Sequence, residues 1–149
     1  MTLEERVSIE NYILIKDGFS QCQIYRHTNG IYYLWGDQKS SGGNTYTIWS
    51  PLPVGYPDAR PPIYIYKPNP LIGYGGIKTI NSYGLSHSMH TLYNGPSGEV
   101  QICHWRDDRW DSSKTLNKVM IKVVIWLEAY EQHLLSGKSI SEFVSTMQG

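Results

Sequence analysis

One cysteine in this sequence stands in a setting that suits chemistry. Cys103 lies in the run Gly98-Glu99-Val100-Gln101-Ile102-Cys103-His104-Trp105, followed by Arg106-Asp107-Asp108-Arg109-Trp110, between an irregular stretch and the strongest helical pattern in the chain. A cysteine at such an edge is a nucleophile candidate: its thiolate attacks a carbonyl and holds the acyl group as a thioester, which keeps most of its reactivity for a later acceptor. A free thiol has a pKa of about 8.5, so a neighbouring cation or base is needed to raise the thiolate fraction near neutrality. His90 and His104 are the imidazoles that suggest themselves for lowering the thiol pKa or for taking a proton from an acceptor amine. His90 has a plain reading beside that one, as a brace for its loop. Cys103 and His104 with His87 and His90 also raise the question of zinc, but only His87 and His90 are spaced as a ligand pair, so neither a metal nor another cofactor is expected. Cys22 sits among alternating residues and reads as a strand filler.

The surrounding elements must position Cys103. Residues 3 to 15 mix apolar side chains with early charge and predict a short amphipathic helix. Cys22–Arg26 and Ile31–Trp35 flank His27-Thr28-Asn29-Gly30, and an Asn-Gly pair between β-rich runs signals a hairpin. After the turn residues Ser40 to Asn44 comes a third run, Thr45–Trp49. Pro61-Pro62 introduces a fourth, Ile63–Tyr66, which Pro68 and Pro70 stop. Residues 67 to 100, rich in Gly, Asn, Ser and Pro, predict a long structured loop, and loops of that length in compact domains are usually functional.

Beyond Trp110, the residues Leu116, Val119, Met120, Val123, Val124, Leu127, Tyr130 and Leu134 recur at steps of three and four, the pattern of one buried helix face. Ser112, Ser113 or Thr115 suits its start and Gly137 its stop. A last short helix is expected from Ser139 to Met147. The fold class is therefore α+β: an N-terminal helix, a four-stranded antiparallel meander, a long active-site loop and C-terminal helices, in one domain spanning residues 1–149.

Composition narrows the function. Thirteen Lys and Arg balance thirteen Asp and Glu, so the basic surface that nucleic-acid or anionic-membrane binding needs is not expected, and a protein partner is. The N-terminus has no basic segment leading into an apolar one, and no apolar run is long enough to cross a bilayer, so a cytoplasmic chain with two free thiols is expected. Gly73-Tyr74-Gly75-Gly76 neither follows a clear strand nor opens a helix, so it is no nucleotide-binding fingerprint, and the terminal Gly149 alone is no motif.

The segment around Cys103 resembles the active-site segment of the ubiquitin-conjugating enzymes. The likeness rests on a Gly shortly before Ile102-Cys103, on Trp110 seven residues after the Cys, and on Thr115-Leu116 opening a long helix. Pro61-Pro62 before the last strand, a His ahead of the Cys and the helical C-terminal half extend it over most of the chain. Ile102-Cys103-His104-Trp105, and Trp126-Leu127-Glu128-Ala129-Tyr130-Glu131 running to His133-Leu134 and Gly137-Lys138-Ser139, are similar more narrowly to conjugating-enzyme-like proteins of bacterial CBASS antiviral operons. The resemblance implies a transferase with a catalytic cysteine, Cys103. It implies a protein donor, a cGAS-like nucleotidyltransferase joined through its C-terminal glycine in anti-phage defence. Two departures stand out. The family's His-Pro-Asn triplet is His90-Thr91-Leu92 here, which leaves Asn94 as the nearest residue for the asparagine's role at the active-site loop and oxyanion. The Pro usually found two residues after the Trp is Ser112. Two other expectations stay open: a non-catalytic binding module of the same fold, and a cysteine hydrolase using Cys103 and His90.

Overall fold

The computed structural model describes residues 1–84 and 88–144. Helix α1, Leu3–Lys16, begins at Thr2, whose hydroxyl accepts the Glu5 N–H while the Glu5 carboxylate reaches back to Thr2, a reciprocal cap that satisfies donors the first turn leaves open. Strands β1 (Cys22–Arg26), β2 (Tyr32–Lys39), β3 (Thr45–Pro51) and β4 (Ile63–Lys67) form the expected antiparallel meander. In the β1–β2 turn only Gly30 takes a positive φ, +85°, and the His27 N–H donates to the Ile31 carbonyl, so the loop is Thr28-Asn29-Gly30 with glycine at its left-handed end.

The sheet then departs from the four-strand expectation. Two further strands, β5 (Thr91–Leu92) and β6 (Val100–Ile102), add antiparallel to its edge, giving six strands in the order β1-β2-β3-β4-β6-β5. β6 pairs with β4 and β5 pairs with β6, so the region expected to be a loop from 67 to 100 contains one strand and runs into another. Strands of two and three residues are too short to show a period of two, and their stability comes from pairing, β6 with β4 and β5 with β6, rather than from local propensity. The same region holds one-turn 3₁₀ segments at Tyr74–Gly76 and Ile80–Tyr83.

Helix α2, Leu116–Ser136, lies over the inner face of the sheet. It buries Leu116, Val119, Met120, Val123, Trp126, Leu127 and Tyr130 against Leu34, Ile48, Ile63, Ile65 and Ile102 in one core. Trp126 and His133 join the buried face, whereas Val124 and Leu134 are only half-buried. Each fully buried aliphatic side chain contributes about 1.5–3 kcal/mol. Thr115 is the residue before the first turn but makes no capping bond; the Leu116 N–H donates instead to Glu10 Oε1 of α1, 2.6 Å away. Glu10 is buried and also accepts from Arg6 Nε at 2.9 Å and from the Tyr56 hydroxyl, so one carboxylate ties α1, the chain before β4 and the positive end of α2 together. Gly137 closes α2 in the left-handed conformation, with its N–H on the His133 carbonyl. The last expected helix reduces to a single 3₁₀ turn, Ile140–Glu142, started by Ser139; residues 145–147 of that expectation lie outside the described residues. No described helix is long and apolar enough to cross a membrane.

Candidate functional site

Cys103 is the first residue beyond β6, and its surroundings follow from the ladder. Thr91 pairs with Ile102 and Leu92 with Gln101, which brings His90 beside Cys103; the Cys103 N–H donates to the His90 carbonyl at 2.9 Å. His90 is the one described residue other than glycine with a positive φ, +51°. That conformation costs a side-chain-bearing residue free energy, and such positions cluster at functional sites. The segment before His90 is anchored from α2, where the Trp126 indole N–H donates to the Met89 carbonyl at 3.1 Å. His90 is fully buried, and Cys103 is 4% exposed.

Asn94 goes elsewhere. It lies at the turn end of the β5–β6 ladder, next to Gly95, whose N–H donates to the Glu99 carbonyl, and it is exposed. The structure therefore brings Cys103 and His90 together and leaves Asn94 at the opposite end of the ladder. His104, the second imidazole, is buried beside Trp105 and Trp110, with Nε2 2.7 Å from the Pro61 carbonyl. Burial pushes its pKa down to about 3 against the pull of that carbonyl, and Arg60 and Lys122 add to the fall while Asp107 opposes it. At neutral pH it is an uncharged ring that donates from Nε2 to Pro61, so it supplies no positive charge to the thiol.

The cation at the site is Lys122, on α2. Its ammonium sits 3.7 Å from the centroid of the Trp105 ring, a cation–π contact two residues beyond Cys103. Burial lowers its pKa to about 8; a charge on Cys103 acts in the opposite sense, and Lys114 adds to the lowering. Lys122 thus remains mostly protonated near neutrality, and a negative charge on Cys103 favours that protonated form. The sequence gives only one hint of this residue, a lysine that the helical period sets one step from the buried Val119 and Val123 positions.

The remaining groups form a rigid frame. Trp105 and Trp110 meet edge to face with centroids 5.7 Å apart, and the Trp110 indole N–H donates to the Pro57 carbonyl at 2.9 Å. Arg60 Nε lies 2.7 Å from Asp107 Oδ1 in the one-turn 3₁₀ segment Asp107–Arg109. Cys22, by contrast, is a buried core residue at the start of β1, with its thiol pushed up to about 12, by burial first and by Asp37 second. It is therefore a protonated, inert thiol at neutral pH. No group of three or more His, Cys, Asp or Glu among the described residues is arranged to hold a metal ion, and His87 of the zinc alternative lies outside them. Comparisons with protein-family models, with curated proteins and with solved structures give no match.

Proposed function

We propose that the chain is a ubiquitin-conjugating-like transferase in which Cys103 carries an acyl group as a thioester. The observation that carries the reading is the place of Cys103 at the exit of β6, where the left-handed His90 holds the cysteine's backbone and the Lys122 ammonium lies on the ring of Trp105 two residues on. In the reaction, the Cys103 thiolate attacks the carbonyl at a donor's C-terminus, the donor's leaving group departs, and the thioester then passes the acyl group to an amine or thiol. Lys122 raises the thiolate fraction before attack. His90 positions the loop, and Asn94 is not required for the first step.

By the family likeness, the donor is the C-terminal glycine of a cGAS-like nucleotidyltransferase and the setting is bacterial anti-phage defence in the cytoplasm. Replacing Cys103 by Ala tests the reading in cells: loss of protection with the partner complex still isolated intact supports acyl transfer.

The burial of Cys103 favours one other reading, a non-catalytic module of the same architecture that grips a protein partner. Full protection by the Cys103→Ala chain, with the complex preserved, would select that module.

A further inference from the structure

The outer face of the sheet carries a second set of side chains that acyl transfer leaves unused. Tyr33 and Trp35 of β2, Trp49 of β3 and Tyr66 of β4 alternate with buried core residues and so share this face, and Tyr25 of β1, paired with Tyr33, continues it. Tyr33 stacks on Trp49 at 6.1 Å, and Trp35 meets Tyr66 at 4.9 Å with the ring planes 54° apart, so the last two rings form a corner. These rings floor a groove of about 560 Å³, within the range of small-molecule sites. None of its lining residues is Cys103, Trp105 or Lys122.

The charge brought to this groove is negative. Glu99 lines it, with Oε1 accepting the Ser97 N–H at 2.7 Å, and it forms no ion pair among the described residues. The β4–β6 ladder runs through Tyr64 opposite Gln101 and Ile65 opposite Val100, so one more step sets Glu99 opposite Tyr66, beside the corner. Arg26 also lines the groove, but its guanidinium lies 5.9 Å from the ring of Tyr32, which packs against the core, so it brings no charge to the outer rings. The face already draws one cation of the chain itself: Lys67 Nζ is 6.0 Å from the Tyr66 centroid, at the outer limit of a cation–π contact.

We propose that the groove binds a small ligand carrying a quaternary ammonium group, held in the corner of Trp35 and Tyr66 beside Glu99. Aromatic faces carry the negative part of the ring quadrupole and attract a cation without a hydrogen bond. A primary ammonium brings three N–H donors and a guanidinium five, and each needs an acceptor when it leaves water; a quaternary ammonium brings none. Rings offer few such acceptors, which favours the methylated cation. The carboxylate adds attraction for that charge and turns anions away.

Titration of the full-length chain with choline chloride, against sodium chloride at equal ionic strength, tests the site by tryptophan fluorescence, since Trp35 and Trp49 line it. Choline is expected to give a saturable change at millimolar concentration. Its uncharged carbon isostere, in which a tert-butyl group replaces the trimethylammonium, should bind about tenfold more weakly, and so should ethanolamine. Trp35→Leu and Tyr66→Leu, both at exposed positions, should each weaken choline about tenfold while changing the isostere little. Glu99→Gln should likewise weaken choline alone, and the two aromatic variants decide the matter if that chain fails to fold. The proposal is overturned if the isostere binds as tightly as choline, as for a merely apolar groove. It is overturned equally if choline gives no saturable change, as for a face that docks protein, or binds unchanged in both Trp35→Leu and Tyr66→Leu.

Discussion

At the scale of single residues, the account turns on which group raises the reactivity of Cys103. The two imidazoles considered for it are both buried, and His104 is held neutral on the Pro61 carbonyl, so on the proposed reading the charge comes from Lys122 on α2. Lys122→Met is therefore expected to raise the Cys103 pKa by about one unit, which slows alkylation by iodoacetamide about tenfold near neutrality. Lys122→Arg should restore most of the rate, because it keeps the charge. The pH profile is the decisive readout, since loosened packing would speed alkylation at every pH without moving its midpoint. Cys22 does not confuse the assay, because it is buried and burial pushes its thiol pKa up to about 12.

At the scale of elements, Glu10 joins helices that the sequence shows only separately. Glu10→Gln keeps the size but weakens the bonds from Arg6, Tyr56 and the Leu116 N–H, and it should cost about 1–3 kcal/mol in urea unfolding. Replacing exposed Glu4 in the same way should change stability by less than about 0.5 kcal/mol. The meander and α2 were legible in sequence because each repeats a period over enough residues: the alternation through Tyr33, Leu34 and Trp35, and the three-and-four spacing from Leu116 to Tyr130. β5 and β6 were not, since two or three residues carry no period and their partners are fixed by tertiary pairing. Cys103 stood out as a candidate from its neighbours in the chain. Lys122 was not, because only the docking of α2 brings it to the loop, and Asn94 was placed by analogy with a triplet that this chain does not contain.

At the scale of the whole molecule, the buried neutral histidine sets a pH dependence. The folded pKa of His104, about 3, lies below the ordinary value of 6.5, so between these limits the unfolded chain binds the extra proton. Its contribution to stability is complete above pH 6.5 and is lost as pH falls toward 3, by up to about 1.4 kcal/mol per pH unit. Urea midpoints measured from pH 7 to pH 4 should fall accordingly, and His104→Gln should flatten that slope. On the proposed reading the same fold must also admit a donor to a cysteine that is only 4% exposed, which requires its surroundings to yield at the moment of attack. Mixing the chain with a glycine-ended peptide α-thioester and recording intact mass measures that step. The account predicts one added acyl mass that dithiothreitol removes and that Cys103→Ala abolishes while Cys22→Ala does not; an unmodified wild-type chain, or an adduct that survives Cys103→Ala, would contradict it.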